Sequence, residues 1–203
     1  MGRRFGNFIR GRIPKVDAVR DALALLEADE VGDLLDSIVE KTYRNAVFRS
    51  GTIGGYTAAA VDGVELFSST KKSCRKCLTR KNKAGQTEYF HRSVVCASIG
   101  HSPHVVLGQE MLTPRDGGEK DEGELTGGKR LVRDLHRKFG HFADVIVADA
   151  LYLNAPFLNT VLDCHMDAVI RLKDEERLIY KDAKGLFEKG EGRKDGFRRG
   201  RKR

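Results

Sequence analysis

The sequence predicts an α/β protein, a mixed sheet with flanking helices preceded by an N-terminal helical hairpin, and three observations carry that expectation. Residues 145–148 and 168–172 are short apolar runs on either side of a helix-like segment at 155–164. Strand, helix, strand in that order implies parallel strands joined by a crossover. Upstream, residues 56–61, 88–98 and 105–112 have the length and composition of three meandering strands. Before those, Val19, Ala22, Leu23 and Leu26, then Val31, Leu34, Leu35, Ile38 and Val39, recur at helical spacing, one apolar face per helix.

Taken in order, residues 1–15 form a basic arm and residues 16–50 the helical region, with Asp17 as the expected N-cap of the first helix. The two helices are expected to pack on the sheet. Residues 49–55 are a glycine-rich joint; no Gly-Lys-Ser/Thr follows, so it is not a phosphate loop. The first strand then runs into Asp62-Gly63, where the glycine is expected to turn the chain into a hairpin. Residues 113–128 are polar, hold two Gly-Gly pairs and read as a loop. They lead into a helix with Leu131, Leu135 and Phe139 on one face. Glu122 and Glu124, just before that helix, are expected to favour its positive end and to have no catalytic role. The apolar run at 145–148 ends in Asp149, at the C-terminal strand end where open α/β sheets place their chemistry.

The net charge of +8 is unevenly spread. Residues 1–15 carry five basic residues and no acid, and residues 193–203 carry seven against Asp195. Within the body, residues 68–92 hold eight basic residues and only one acid, Glu88. Cations gathered in two tails and one internal segment point to a phosphate backbone as partner. No apolar run approaches the length of a membrane span, and the N-terminus lacks the apolar core of a signal peptide, so no membrane partner and a cytoplasmic location are expected.

Four cysteines without a secretion signal point to free thiols or metal ligands. Cys74 and Cys77 with His91 follow a zinc-like spacing. Cys96 falls out of strand phase with His91 and is expected in the core, leaving zinc on Cys74, Cys77 and His91 with the fourth ligand unidentified; the alternative is an exposed basic hairpin that contacts DNA.

The segments Ala60-Val61-Asp62-Gly63, Val147-Ala148-Asp149-Ala150-Leu151-Tyr152 and Ile170-Arg171-Leu172-Lys173-Asp174 resemble the core of IS4-type insertion-sequence transposases. The resemblance covers residues 16 to 190, and Asp-Ala-Leu-Tyr followed by Ala155-Pro156-Phe157 is its most specific part. It implies a ribonuclease-H-like core over residues 51–190. It also implies an Asp, Asp, Glu set holding two divalent ions, Mg²⁺ or Mn²⁺, with Asp62 and Asp149 as the first two ligands. Arg171 and Lys173 would contact DNA. The implied partner is DNA, both transposon ends and target, with self-association during transposition.

The family's third acid lies within a Tyr-x2-Arg-x3-Glu-x6-Lys signature that this sequence lacks. Glu188 lies 39 residues after Asp149, but Gly185, Gly190 and Gly192 argue against a stable helix there. The core is therefore expected to be an incomplete, C-terminally truncated one, ending in a basic tail at 191–203. The alternatives are an inactive DNA-binding remnant or a standalone metal-dependent nuclease using Glu188.

Overall fold

The computed structural model describes residues 14–114, 121–173, 175–176 and 178–188. Nearly all of the basic arm, the whole basic tail and Asp174 lie outside the described residues.

Helices α1 (Val16–Ala24) and α2 (Ala28–Arg44) precede a continuous sheet. Strands β1 (Ala58–Ser69), β2 (Leu78–Lys81), β3 (Thr87–Ile99) and β4 (Val106–Met111) come first. Helix α3 (Glu124–Phe139), β5 (Val145–Ala148), α4 (Ala155–Asp163), β6 (Asp167–Ile170) and α5 (Leu178–Glu188) complete the order. The sheet runs β2-β3-β1-β5-β6, with β4 beside β2 along the same outer edge of β3. β3 is antiparallel to β1, β2 and β4, whereas β1, β5 and β6 are parallel to one another. The protein is thus α/β with a mixed open sheet flanked by helices.

Helix α3 lies against β3 and β4 and supports α4. Its Leu131, Val132 and Leu135 meet Val61, Val94, Cys96, Leu107 and Ile146 in one buried cluster. Truncating a side chain such as Leu131 there costs about 2–5 kcal/mol. The helix comes this close because of its glycines. A Cβ on Gly127 would stand 2.4 Å from Leu112 Cδ2, and one on Gly128 would stand 2.8 Å from Tyr152 Cε1. This corrects the expectation of a loop to residue 128. The helix starts at Glu124, and its Gly-Gly pair accommodates the packing.

Two further expectations are corrected. The chain does not turn at Asp62-Gly63; β1 continues to Ser69, held by its antiparallel register with β3. Asp17 does not cap α1, whose N-cap is Lys15; Asp17 lies in the first turn and pairs with Arg20 at 3.2 Å. The joint at 49–55 is a tight turn. Gly51 has φ +74, and a Cβ there would stand 2.4 Å from the Gly55 carbonyl carbon, so only glycine fits.

Of the two N-terminal helices, α2 docks and α1 does not. Val39 is fully buried, the Tyr43 hydroxyl donates to the Phe142 carbonyl at 2.6 Å, and Lys138 pairs with Asp36 at 2.8 Å. Helix α1 buries none of its residues, and Val19, Leu23, Leu34 and Ile38 remain exposed, so packing on the sheet holds only for the later part of the region. Helix α5 forms through Gly185 despite the glycine, and none of its described side chains is buried.

Candidate functional site

The parallel register of β1 and β5 pairs Ala60 with Val147 and Val61 with Ala148. Asp62 is the next residue of β1, and Asp149 is the first residue beyond the end of β5. Registered neighbours point to the same face of a sheet, and adjacent strands lie about 4.8 Å apart, so the two acids stand side by side. Asp149 stays extended, with φ −81 and ψ 178, and its carboxylate accepts the Leu151 amide at 2.8 Å. That bond caps the short 3₁₀ turn Ala150–Tyr152 and fixes the carboxylate at the strand end. Asp62 is exposed and accepts the amide of Gly63 at 2.9 Å.

A third carboxylate reaches this edge from α3. Glu124 lies over Gly63: a Cβ there would stand 2.3 Å from the Glu124 carboxyl carbon. Its side chain is only 15% exposed, and Arg92 Nη1 donates to Oε1 at 2.8 Å. Arg92 belongs to a chain of ion pairs along β1, β2 and β3, bonding Glu65 at 3.2 Å; Arg80 then bonds Glu65 at 2.6 Å and Glu88 at 2.7 Å. Sequence reading placed Glu124 at the positive end of the helix and assigned it no catalytic role. Its signal was available only in the pairing of an acid at a helix start with the glycine after Asp62.

Tyr152, from the Asp-Ala-Leu-Tyr run, is fully buried against Phe157, ring centroids 4.8 Å apart, and its hydroxyl has no hydrogen-bond partner. Burial, then the charges of Glu124, Asp62 and Asp149, raise its phenol above the ordinary range. All three acids therefore act on one buried hydroxyl. They are not drawn as tightly as a preformed cage: among the described residues, the only group of three whose ligand atoms lie within 4.8 Å of one another is Cys74, Cys77 and His91.

Comparison with protein-family models, curated proteins and solved structures returns no match to this chain.

The remaining predicted residues fall in distinct places. Lys173 Nζ stands 3.4 Å from Asp149 Oδ2, with both side chains about half exposed, so it belongs to the acid edge. Arg171 is exposed just after β6, and its backbone amide donates to the Ala148 carbonyl at 3.2 Å. Glu188 ends α5, and its side chain lies outside the described residues. Cys96 is fully buried in the core, as the strand phase predicted, where burial pushes its thiol up to about 12, and it lies outside the Cys74, Cys77 and His91 group. The exposed basic hairpin is also present: β2 and β3 pair antiparallel across a turn in which Asn82 Oδ1 accepts the Ala84 and Gln86 amides.

Proposed function

We propose that this chain is a DNA transposase core with a ribonuclease-H-like fold, built to cleave phosphodiester bonds with Mg²⁺ or Mn²⁺ held by Asp62, Asp149 and Glu124. The observation that carries the reading is the side-by-side position of Asp62 and Asp149 on parallel strands, with Glu124 seated on Gly63. The sheet order supports the fold: β4, β3 and β1 meander, and β5 and β6 follow by crossovers on the far side of β1.

The donors suit the ions. Carboxylate oxygens are hard ligands that Mg²⁺ and Mn²⁺ prefer, and the orphaned Tyr152 hydroxyl beside them can donate to a polar ligand there. A pair of such ions, when bound, supplies an activated water or 3′-hydroxyl and a stabilised leaving oxygen. The chain's own residues prepare that site. Arg92 orients Glu124, the Leu151 amide fixes Asp149, and Lys173 offsets the charge of Asp149 while no ion is present. Arg171, exposed after β6, offers a cation to the DNA backbone.

One observation favours a second reading. Glu124 supplies a third acid from within the chain, so a standalone metal-dependent nuclease needs no acid from a downstream helix. Mn²⁺-dependent nicking of supercoiled plasmid tests both. Loss of nicking in Asp149→Asn and in Glu124→Gln supports the three-acid site, and undiminished nicking in either overturns it. Glu188→Gln is expected to leave nicking unchanged. Salt-sensitive DNA binding without nicking would leave only a DNA-binding remnant.

A further inference from the structure

Away from the acid edge, β1 leaves the sheet at Ser69, and the chain returns as β2 at Leu78. The connecting loop is tied locally, since the Ser69 hydroxyl oxygen accepts the Lys71 and Lys72 amides at 3.1 and 3.0 Å. Its last four residues form a turn closed by the Cys77 amide to the Cys74 carbonyl at 3.2 Å, with the Cys74 amide donating to Cys77 Sγ at 3.2 Å. That turn brings both sulfurs onto one side. His91, on β3, registers with Phe67 of β1 and comes up from the sheet to meet them.

The three ligand atoms form a small triangle. Cys74 Sγ and Cys77 Sγ are 3.6 Å apart, and His91 Nε2 stands 3.3 Å from the first and 3.4 Å from the second. Zinc–sulfur bonds of about 2.3 Å and zinc–nitrogen bonds of about 2.0–2.1 Å give tetrahedral edges of about 3.8 Å between sulfurs and about 3.5 Å from sulfur to nitrogen. Each observed edge is within about 0.3 Å of those values, so the triangle has the dimensions to accept one ion at normal bond lengths without rearrangement. Two soft sulfurs and an imidazole select zinc over the hard ions of the carboxylate edge.

We propose that Cys74, Cys77 and His91 bind one zinc ion, with a solvent molecule as the fourth ligand at the exposed Cys74 side, and that the ion fastens the 70–77 loop to β3. The proposal is independent of the nuclease reading. Bound to two thiolates and a neutral imidazole, zinc adds no net charge, so the positive character of the loop is unchanged. Arg75 and Lys76, between the two ligand cysteines, are exposed and form no ion pair among the described residues.

The test is metal content and spectroscopy on the full chain. One zinc per chain is expected in protein purified without chelator, and Co²⁺ substitution should give intense tetrahedral d–d bands with thiolate charge transfer. Cys74→Ser and His91→Ala should each lose both signals, while Cys164→Ser, at a buried thiol remote in sequence, keeps them. Circular dichroism of each variant separates metal loss from unfolding. Less than a tenth of a zinc per chain, or Co²⁺ spectra unchanged by His91→Ala, would overturn the proposal. So would a disulfide between Cys74 and Cys77, mapped by peptide mass in unreduced protein purified without chelator, because it would take both sulfurs from the ion.

Discussion

The carboxylate of Glu124 occupies the space a side chain on Gly63 would need. The glycine after Asp62 thus makes room for a third acid instead of turning the chain. Gly63→Ala should push the carboxylate aside while leaving β1 in register, because the clash is with the end of a flexible side chain. Mn²⁺-dependent nicking is expected to fall by about 10–100-fold, the usual cost of misplacing a group that supports a metal site. An unchanged melting temperature beside that loss would locate the defect at the site.

Tyr152 makes a second prediction with two opposite readouts. Its buried hydroxyl lacks a partner, so Tyr152→Phe should stabilise the protein in chelator by up to ~1 kcal/mol, since an unsatisfied buried group is a cost. Saturating Mn²⁺ should stabilise the parent chain more than the variant, if the hydroxyl donates to a ligand at the acid edge. Thermal melts with and without Mn²⁺ measure both.

Much of this was legible in the sequence, for identifiable reasons. The apolar run before Asp149 and the alternation around His91 are short-range patterns, and β5, β3 and the opposite facing of His91 and Cys96 follow from them. Glu124 and the Gly127-Gly128 pair were not legible, because their meaning lies in contacts with Gly63, Leu112 and Tyr152 that are distant in sequence. A pair of glycines looks like a loop until a partner shows that a helix must approach closely there. The failed turn at Asp62-Gly63 has the same origin: local turn chemistry yielded to a long antiparallel register.

Lys173 and Asp149 form an exposed pair, worth about 0–1 kcal/mol, so Lys173→Met should barely change stability. Removing a cation 3.4 Å from the carboxylate proposed as a metal ligand should nonetheless tighten Mn²⁺ binding and weaken retention of DNA. Calorimetric titration with Mn²⁺ and a salt series of DNA binding read the two effects separately.

Acid should destabilise the protein in a defined window. Hydrogen bonds from Arg80 hold Glu65 and Glu88, and two from Arg130 hold Glu122, below the ordinary carboxylate range. Groups depressed in the folded state stabilise it above the unfolded value of about 4.3, and that contribution is lost as pH falls through the folded values. Melting temperature should therefore drop below about pH 4. Arg130→Met should flatten part of that drop by releasing Glu122.

Lys71, Lys72, Arg75 and Lys76 have no ion-pair partner among the described residues. Neutralising Arg75 and Lys76 together should weaken binding to every DNA sequence alike and reduce the salt slope by about two. A slope unchanged by the pair would remove the turn from the DNA-binding surface.

Strand β1 outlasts its parallel neighbour β5: from Gly63 to Ser69 it continues paired with β3, whose outer edge carries β4 and then β2, for about 20 Å at ordinary strand rise. Under the proposed function this extension would serve as a ruler. On β3, His91 lies four residues from Val95, the partner of Asp62, so for DNA lying along the extension the Cys74–Cys77 turn would grip a phosphate about 14 Å, or about four base pairs, from Asp62. The length of a β-strand would then set the offset between where the protein holds DNA and where it cuts.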